Sequence, residues 1–96
     1  MRPSEALEMY RNDARAIIAR YPLKNPRIFG SAARGSDHED SDIDILVQLS
    51  GKLSYFDLSA LERELATLMG VKVDVRTEGE FSAEMLDRIS RDISAL

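Results

Sequence analysis

The sequence predicts an α/β fold, a small sheet covered by helices, because two hydrophobic periods take turns along its 96 residues. Apolar residues recur at spacings of three and four near the N-terminus, in the middle and near the C-terminus. Between these stretches lie two runs of strict alternation and one short apolar run that ends in Gly-Ser. The length lies in the single-domain range, so one domain over residues 1–96 is expected.

In chain order, Leu7, Tyr10, Ala14, Ile17, Ile18 and Tyr21 mark one face of a helix that Ser4 caps and Pro22 stops. After Asn25-Pro26, the run Arg27-Ile28-Phe29 is a strand entering a tight loop over residues 30–41, with a helical turn through Ala32-Ala33-Arg34. Residues 42–49 alternate, with Asp42, Asp44 and Leu46 on one side and Ile43, Ile45 and Val47 on the other. Leu58, Leu61, Leu65 and Leu68 give a second helix ending at Gly70, with Tyr55 and Phe56 just before it as a hydrophobic staple. Val71, Val73 and Val75 then alternate with Lys72, Asp74 and Arg76 as another strand. Met85, Leu86, Ile89, Ile93 and Leu96 trace a C-terminal helix capped by Ser82, its apolar face directed at the sheet. Periodicity leaves the strand directions open.

Composition narrows the function. The 44% hydrophobic and 31% charged shares are those of an ordinary globular chain, and no apolar run approaches a membrane span. The N-terminus is amphipathic rather than signal-like, so a cytoplasmic location is expected. Having no cysteine removes disulfides, thiolate metal sites and cysteine nucleophiles. A net charge of −4 argues against bulk nucleic-acid binding, yet a small anion can still be held locally by a few cations and a divalent metal.

Carboxylates at i and i+2 on a strand point the same way, about 6.6 Å apart at the backbone. Asp42 and Asp44 have this spacing, and Asp74, set between valines, leaves the apolar face of its own strand. Strands disfavour aspartate, so a lone Asp-x-Asp is usually a solvated edge, whereas three strand acids call for exposure, pairing or a metal. Hard oxygen ligands suit magnesium, which binds through one or two carboxylates and completes its shell with phosphate and water. Gly30-Ser31 follows a strand directly. Glycine there lets backbone N–H groups approach a phosphate, the serine hydroxyl adds a donor, and Arg34 can offer a forked guanidinium. His38, in a polar loop, reads as solvated. Ser41 and Gly35 read as shaping the loop.

Together, IFGSAARGSDHEDSDIDILV resembles the signature of the nucleotidyltransferase superfamily that includes DNA polymerase beta and kanamycin nucleotidyltransferase. Gly30-Ser31, Asp42-Ile43-Asp44 and the Asp74 of VKVDV match its Gly-Ser, its Asp-x-Asp and its third acid. Within that superfamily, Gly-Ser-x-Ala-Arg-Gly, Ser-Asp-x-Asp and the short length are similar to the minimal nucleotidyltransferases. The resemblance implies the nucleotidyltransferase fold, a small mixed β-sheet flanked by helices. It also implies transfer of a nucleoside monophosphate, AMP from ATP, to an acceptor hydroxyl. Asp42 and Asp44 would bridge two magnesium ions, with Asp74 holding the one nearest the acceptor and helping remove its proton. Gly30, Ser31 and Arg34 would bind the phosphates. A frequent variant has arginine directly after Gly-Ser, where this chain has Ala32. The family further implies an antitoxin acting beside a HEPN-domain toxin, a tyrosine of that toxin being the acceptor. The alternative is an antitoxin that binds nucleotide without catalysis and neutralises its toxin by contact. A small-molecule acceptor is disfavoured because no second substrate domain is seen.

Overall fold

A computed structural model describes residues 1–96. Helix α1 (Pro3–Ile18) leads into strand β1 (Leu23–Phe29), the short helix α2 (Ser31–Arg34) and strand β2 (Ile43–Leu49). Helix α3 (Tyr55–Met69), strand β3 (Val73–Thr77), a 3₁₀ turn (Glu78–Glu80), helix α4 (Ala83–Ser90) and strand β4 (Ser94–Ala95) follow. The sheet order is β3-β2-β1-β4. β1 is antiparallel to β2 and β4, and β2 is parallel to β3, with α3 as the crossover that a parallel pair needs. The sheet is thus mixed.

One face of the sheet carries the core. Ile28, Ile43, Ile45, Val47, Val73 and Val75 pack against Ala6, Leu7, Ala14 and Ile18 of α1 and Leu61, Leu65 and Met69 of α3. Each such Val, Leu, Ile or Met contributes about 1.5–3 kcal/mol by leaving water. Alternation sends Asp44, Leu46 and Gln48 to the opposite face, where Leu46 is nonetheless buried. The antiparallel register puts Arg27 opposite Leu46 and Phe29 opposite Asp44. The segment after β3 folds back over that face. Glu78 pairs with Arg27, and Phe81 meets Phe29 edge-on with ring centroids 6.3 Å apart.

Several boundaries differ from the sequence expectation. Helix α1 starts at Pro3 with Arg2 as N-cap, and the backbone N–H of Ser4, the expected cap, donates instead to Asp37. The helix also ends at Ile18, before Pro22. β1 begins four residues before Arg27, and its register shift between Lys24 and Arg27 accommodates Asn25 at φ 52° and Pro26. Tyr55 and Phe56 form no staple: they lie in the first turn of α3 and are 89% and 88% exposed. Leu53 and Leu58, at the staple positions around the Ser54 N-cap, pack on the core in their place. Ser82 does cap α4, accepting from the Met85 N–H. However, α4 buries no residue against the sheet and stops at Ser90, so Ile93 and Leu96 lie outside it. The helical spacing overran because β4 pairs with β1 through Arg27–Ala95 and Ile28–Ser94 and carries Leu96 into the main core. The Leu96 N–H closes this contact on the Pro26 carbonyl.

Candidate active site

The parallel pairing of β2 and β3 sets Asp44 directly beside Asp74 in register. Adjacent strands lie about 4.8 Å apart, so the two carboxylates leave the sheet side by side. Asp42 stands two residues before Asp44 and on the same side, at the entrance to β2. All three are half-buried. Burial, and then the charges of Asp74 and Asp42, push the Asp44 carboxyl above its ordinary range, with Arg76 and Lys72 opposing. Lys72 Nζ lies 3.5 Å from Asp42 Oδ2, while Arg76 turns to Glu80 at 3.6 Å. The three acids share a face without closing into a ready three-ligand cluster. Their chemistry fits magnesium all the same, because that ion needs only one or two carboxylate oxygens when phosphate and water supply the rest.

The turn after β1 is built around the acids. Gly30 has φ 76° and ψ −157°, a conformation open to glycine, and it begins α2. A Cβ there would stand 2.6 Å from Asp44 Oδ2, so the backbone passes against that carboxylate as only glycine allows. Ser31 follows at the first position of α2, whose end is turned by Gly35 at φ 72°. Arg34, expected at the phosphates, is exposed and has Nη1 3.5 Å from Asp92 Oδ2. The loop then closes locally. The His38 N–H donates to Ser41 Oγ at 2.8 Å and the Ser41 N–H to the His38 carbonyl at 3.0 Å, which gives Ser41 its loop-shaping role and leaves the His38 side chain exposed.

Sequence reasoning missed Asp37. It is the one buried charged residue of the chain, 3% exposed, and its Oδ2 accepts the Ser4 N–H at 2.8 Å. Its Oδ1 is buried without a hydrogen-bond partner. Burial opposes ionisation, but hydrogen bonding to Ser4 and to its own backbone amide, with the charge of Arg2, together outweigh it and hold the carboxyl below its ordinary value. Nothing in Asp-His-Glu-Asp-Ser distinguishes this aspartate from its neighbours, since its partner lies 33 residues away.

A cavity of about 230 Å³ lined by Leu49, Leu53, Tyr55, Leu58 and Glu80 lies at the far end of β2 and includes none of Asp42, Asp44 and Asp74. Phosphates are held by donors and metal rather than by an apolar pocket, so the open acidic face is the better candidate.

Carboxylates abreast on neighbouring strands, with a glycine turn against one of them, form an open acidic face that could hold a metal-bound phosphate. The chain belongs to the nucleotidyltransferase domain family, whose model matches residues 14–95, and within it to the minimal nucleotidyltransferases. It is 40% identical over 75 residues to a Methanocaldococcus jannaschii chain named as an inferred protein adenylyltransferase, covering 78% of this chain and 76% of that one. The solved structure of an inferred minimal nucleotidyltransferase superposes with a TM-score of 0.85 at 32% identity, covering 97% of this chain and 95% of the other. A complex of a tri-AMPylated Shewanella oneidensis HEPN toxin with an MNT antitoxin shares the fold, at a TM-score of 0.70 and 19% identity, over 92% of this chain and 69% of the matched chain.

Proposed function

We propose that this nucleotidyltransferase moves AMP from ATP, with magnesium, onto a tyrosine hydroxyl of a HEPN-domain toxin and thereby acts as its antitoxin. The observation that carries the reading is Asp44 beside Asp74 in register, with Gly30 packed against Asp44. The names of similar proteins support the nucleotide and the partner: one is named as an inferred protein adenylyltransferase, and a fold neighbour is an MNT antitoxin in complex with a tri-AMPylated HEPN toxin.

In this reading Asp42, Asp44 and Asp74 would hold the magnesium ions, which would neutralise the triphosphate and the charge that develops during transfer. The N–H groups of the turn after Gly30, the Ser31 hydroxyl and Arg34 hold the β and γ phosphates, Arg34 leaving Asp92 to do so. Asp74, on the strand nearest the open edge, accepts the proton of the acceptor hydroxyl. The acceptor oxygen bonds to the α-phosphorus, the bond to the bridging oxygen breaks, and pyrophosphate leaves with its electron pair. No helix is long and apolar enough to cross a membrane. The need for ATP as donor leads us to place the reaction in the cytoplasm.

The test is to incubate the protein with labelled ATP, magnesium and the HEPN-domain product of a neighbouring gene, and to locate label by mass spectrometry. Label on tyrosine that disappears with Asp44→Asn supports the reading. A wild type that suppresses the toxin without labelling it establishes instead a non-catalytic antitoxin.

A further inference from the structure

We propose that Asp37 is a positioning residue that clamps the middle of the 30–42 loop to the N-terminus of α1 and so holds the loop's two ends, Gly30-Ser31 and Asp42, in register for the metal-bound triphosphate. This rests on the site reading above. Both ends of the loop are functional, yet residues 36–41 have neither helix nor strand to fix them. Their backbone contacts, Ser36 N–H to Ser31 O and the reciprocal His38 and Ser41 bonds, are all local. The tie to the rest of the fold is the Asp37 carboxylate on the Ser4 N–H, across 33 residues. An exposed pair between Glu39 and the N-terminal ammonium, at 3.8 Å, adds little.

The arrangement is an expensive one to keep. A carboxylate 3% exposed, with one oxygen unpartnered, is tolerated only where a strong donor meets the other oxygen. Here the donor is one of the free N–H groups of a 16-residue helix, and the helix is anchored in the core through Ala6 and Leu7. The loop is thereby referred to the same rigid body that supports β1 and α3. Without the clamp, nucleotide would have to order the loop as it binds, and its affinity would fall by the fraction of molecules already in position. A hydrogen bond to a charged group corresponds to about tenfold or more in an equilibrium constant.

The experiment uses the full chain as wild type, Asp37→Ala and Asp37→Asn. Affinity for magnesium-ATP is read by calorimetry, and hydrogen exchange is followed at residues 36–42 and in α3. Asp37→Ala is expected to weaken binding about tenfold and to speed exchange in the loop alone. Asp37→Asn, which keeps an oxygen for the Ser4 N–H, should restore affinity to within about threefold. A residue that only stabilised the fold would instead speed exchange in α3 as well, and that result, or wild-type affinity and loop exchange in Asp37→Ala, overturns the proposal. If Asp37→Ala does not fold, Asp37→Glu pushes the charge one methylene past the Ser4 amide and reads the same two quantities, with wild-type values again overturning it. A wild type that binds magnesium-ATP but labels no acceptor removes the transferase reading and leaves the clamp standing. One that binds no magnesium-ATP removes both.

Discussion

The backbone of Gly30 passes so close to Asp44 that a Cβ would come within 2.6 Å of Oδ2, which couples the turn after β1 to the central acid of β2. Gly30→Ala therefore meets both a positive-φ penalty and a collision with the carboxylate. We expect a stability loss of about 1–3 kcal/mol and loss of transfer by at least about a hundredfold, the proposed metal ligand Asp44 having been displaced. Gly35→Ala is the control. It shares the positive φ, at 72°, but meets nothing within 4 Å, so it should cost about 1 kcal/mol and leave the acid untouched. Denaturant melts and transfer assays on the pair separate strain from collision.

Asp44→Asn should abolish transfer while making the metal-free protein more stable at neutral pH. The folded carboxyl is raised above its ordinary value by burial and by Asp74 and Asp42, so the folded state holds that proton to higher pH than the unfolded chain does. Wild-type stability accordingly falls as pH rises from the ordinary aspartate value through the raised one. The variant escapes this fall, so its advantage should be present at neutral pH and fade below about pH 4. Melting curves across pH without metal check the sign; a variant less stable at pH 7 than at pH 4, relative to wild type, contradicts it.

Asp37 carries the opposite sign. Its folded carboxyl lies below the ordinary value, so the stability it contributes is present above about pH 4 and is lost as pH falls further. The difference in stability between wild type and Asp37→Asn should therefore narrow on acidification, in contrast to any loss arising from core packing.

Asp74→Asn should reduce transfer far more than ATP affinity. In the proposed mechanism Asp42 and Asp44 remain to hold metal and phosphate, whereas the proposed proton acceptor on β3 is gone. Parallel calorimetry and labelling would show the two quantities separating, and equal losses in both would reassign Asp74 to binding alone.

Magnesium and ATP together should raise the melting temperature, and magnesium alone much less. The three acids share a face but do not form a closed cluster, so phosphate oxygens are needed to complete a metal shell. Identical melts with and without both at saturating concentration would count against the site.

Much of this was legible in the residues themselves. The two hydrophobic periods located α1, β2, α3 and β3 because which face a residue takes is a local property of a helix or strand. Gly-Ser, Asp-x-Asp and the valine-flanked Asp74 were visible for the same reason, as departures from what a strand accepts. Pairing is not local. That β2 and β3 run parallel, so that Asp44 falls beside Asp74 rather than a residue away, depends on how α3 carries the chain across the core. Ile93 and Leu96 kept the helical period after α4 had ended, and only the edge of β1, offering unpaired groups to Ser94 and Ala95, drew that segment out as β4. Asp37 is the clearest case. In sequence it is one acid among several in a polar run, and its burial exists because the free N-terminus of α1, 33 residues earlier, is folded against the loop. The sequence by itself determined the residue types and faces that the chemistry needs, and the tertiary structure alone decided which of them stand next to one another, because registers and caps are made by contacts between segments far apart in the chain.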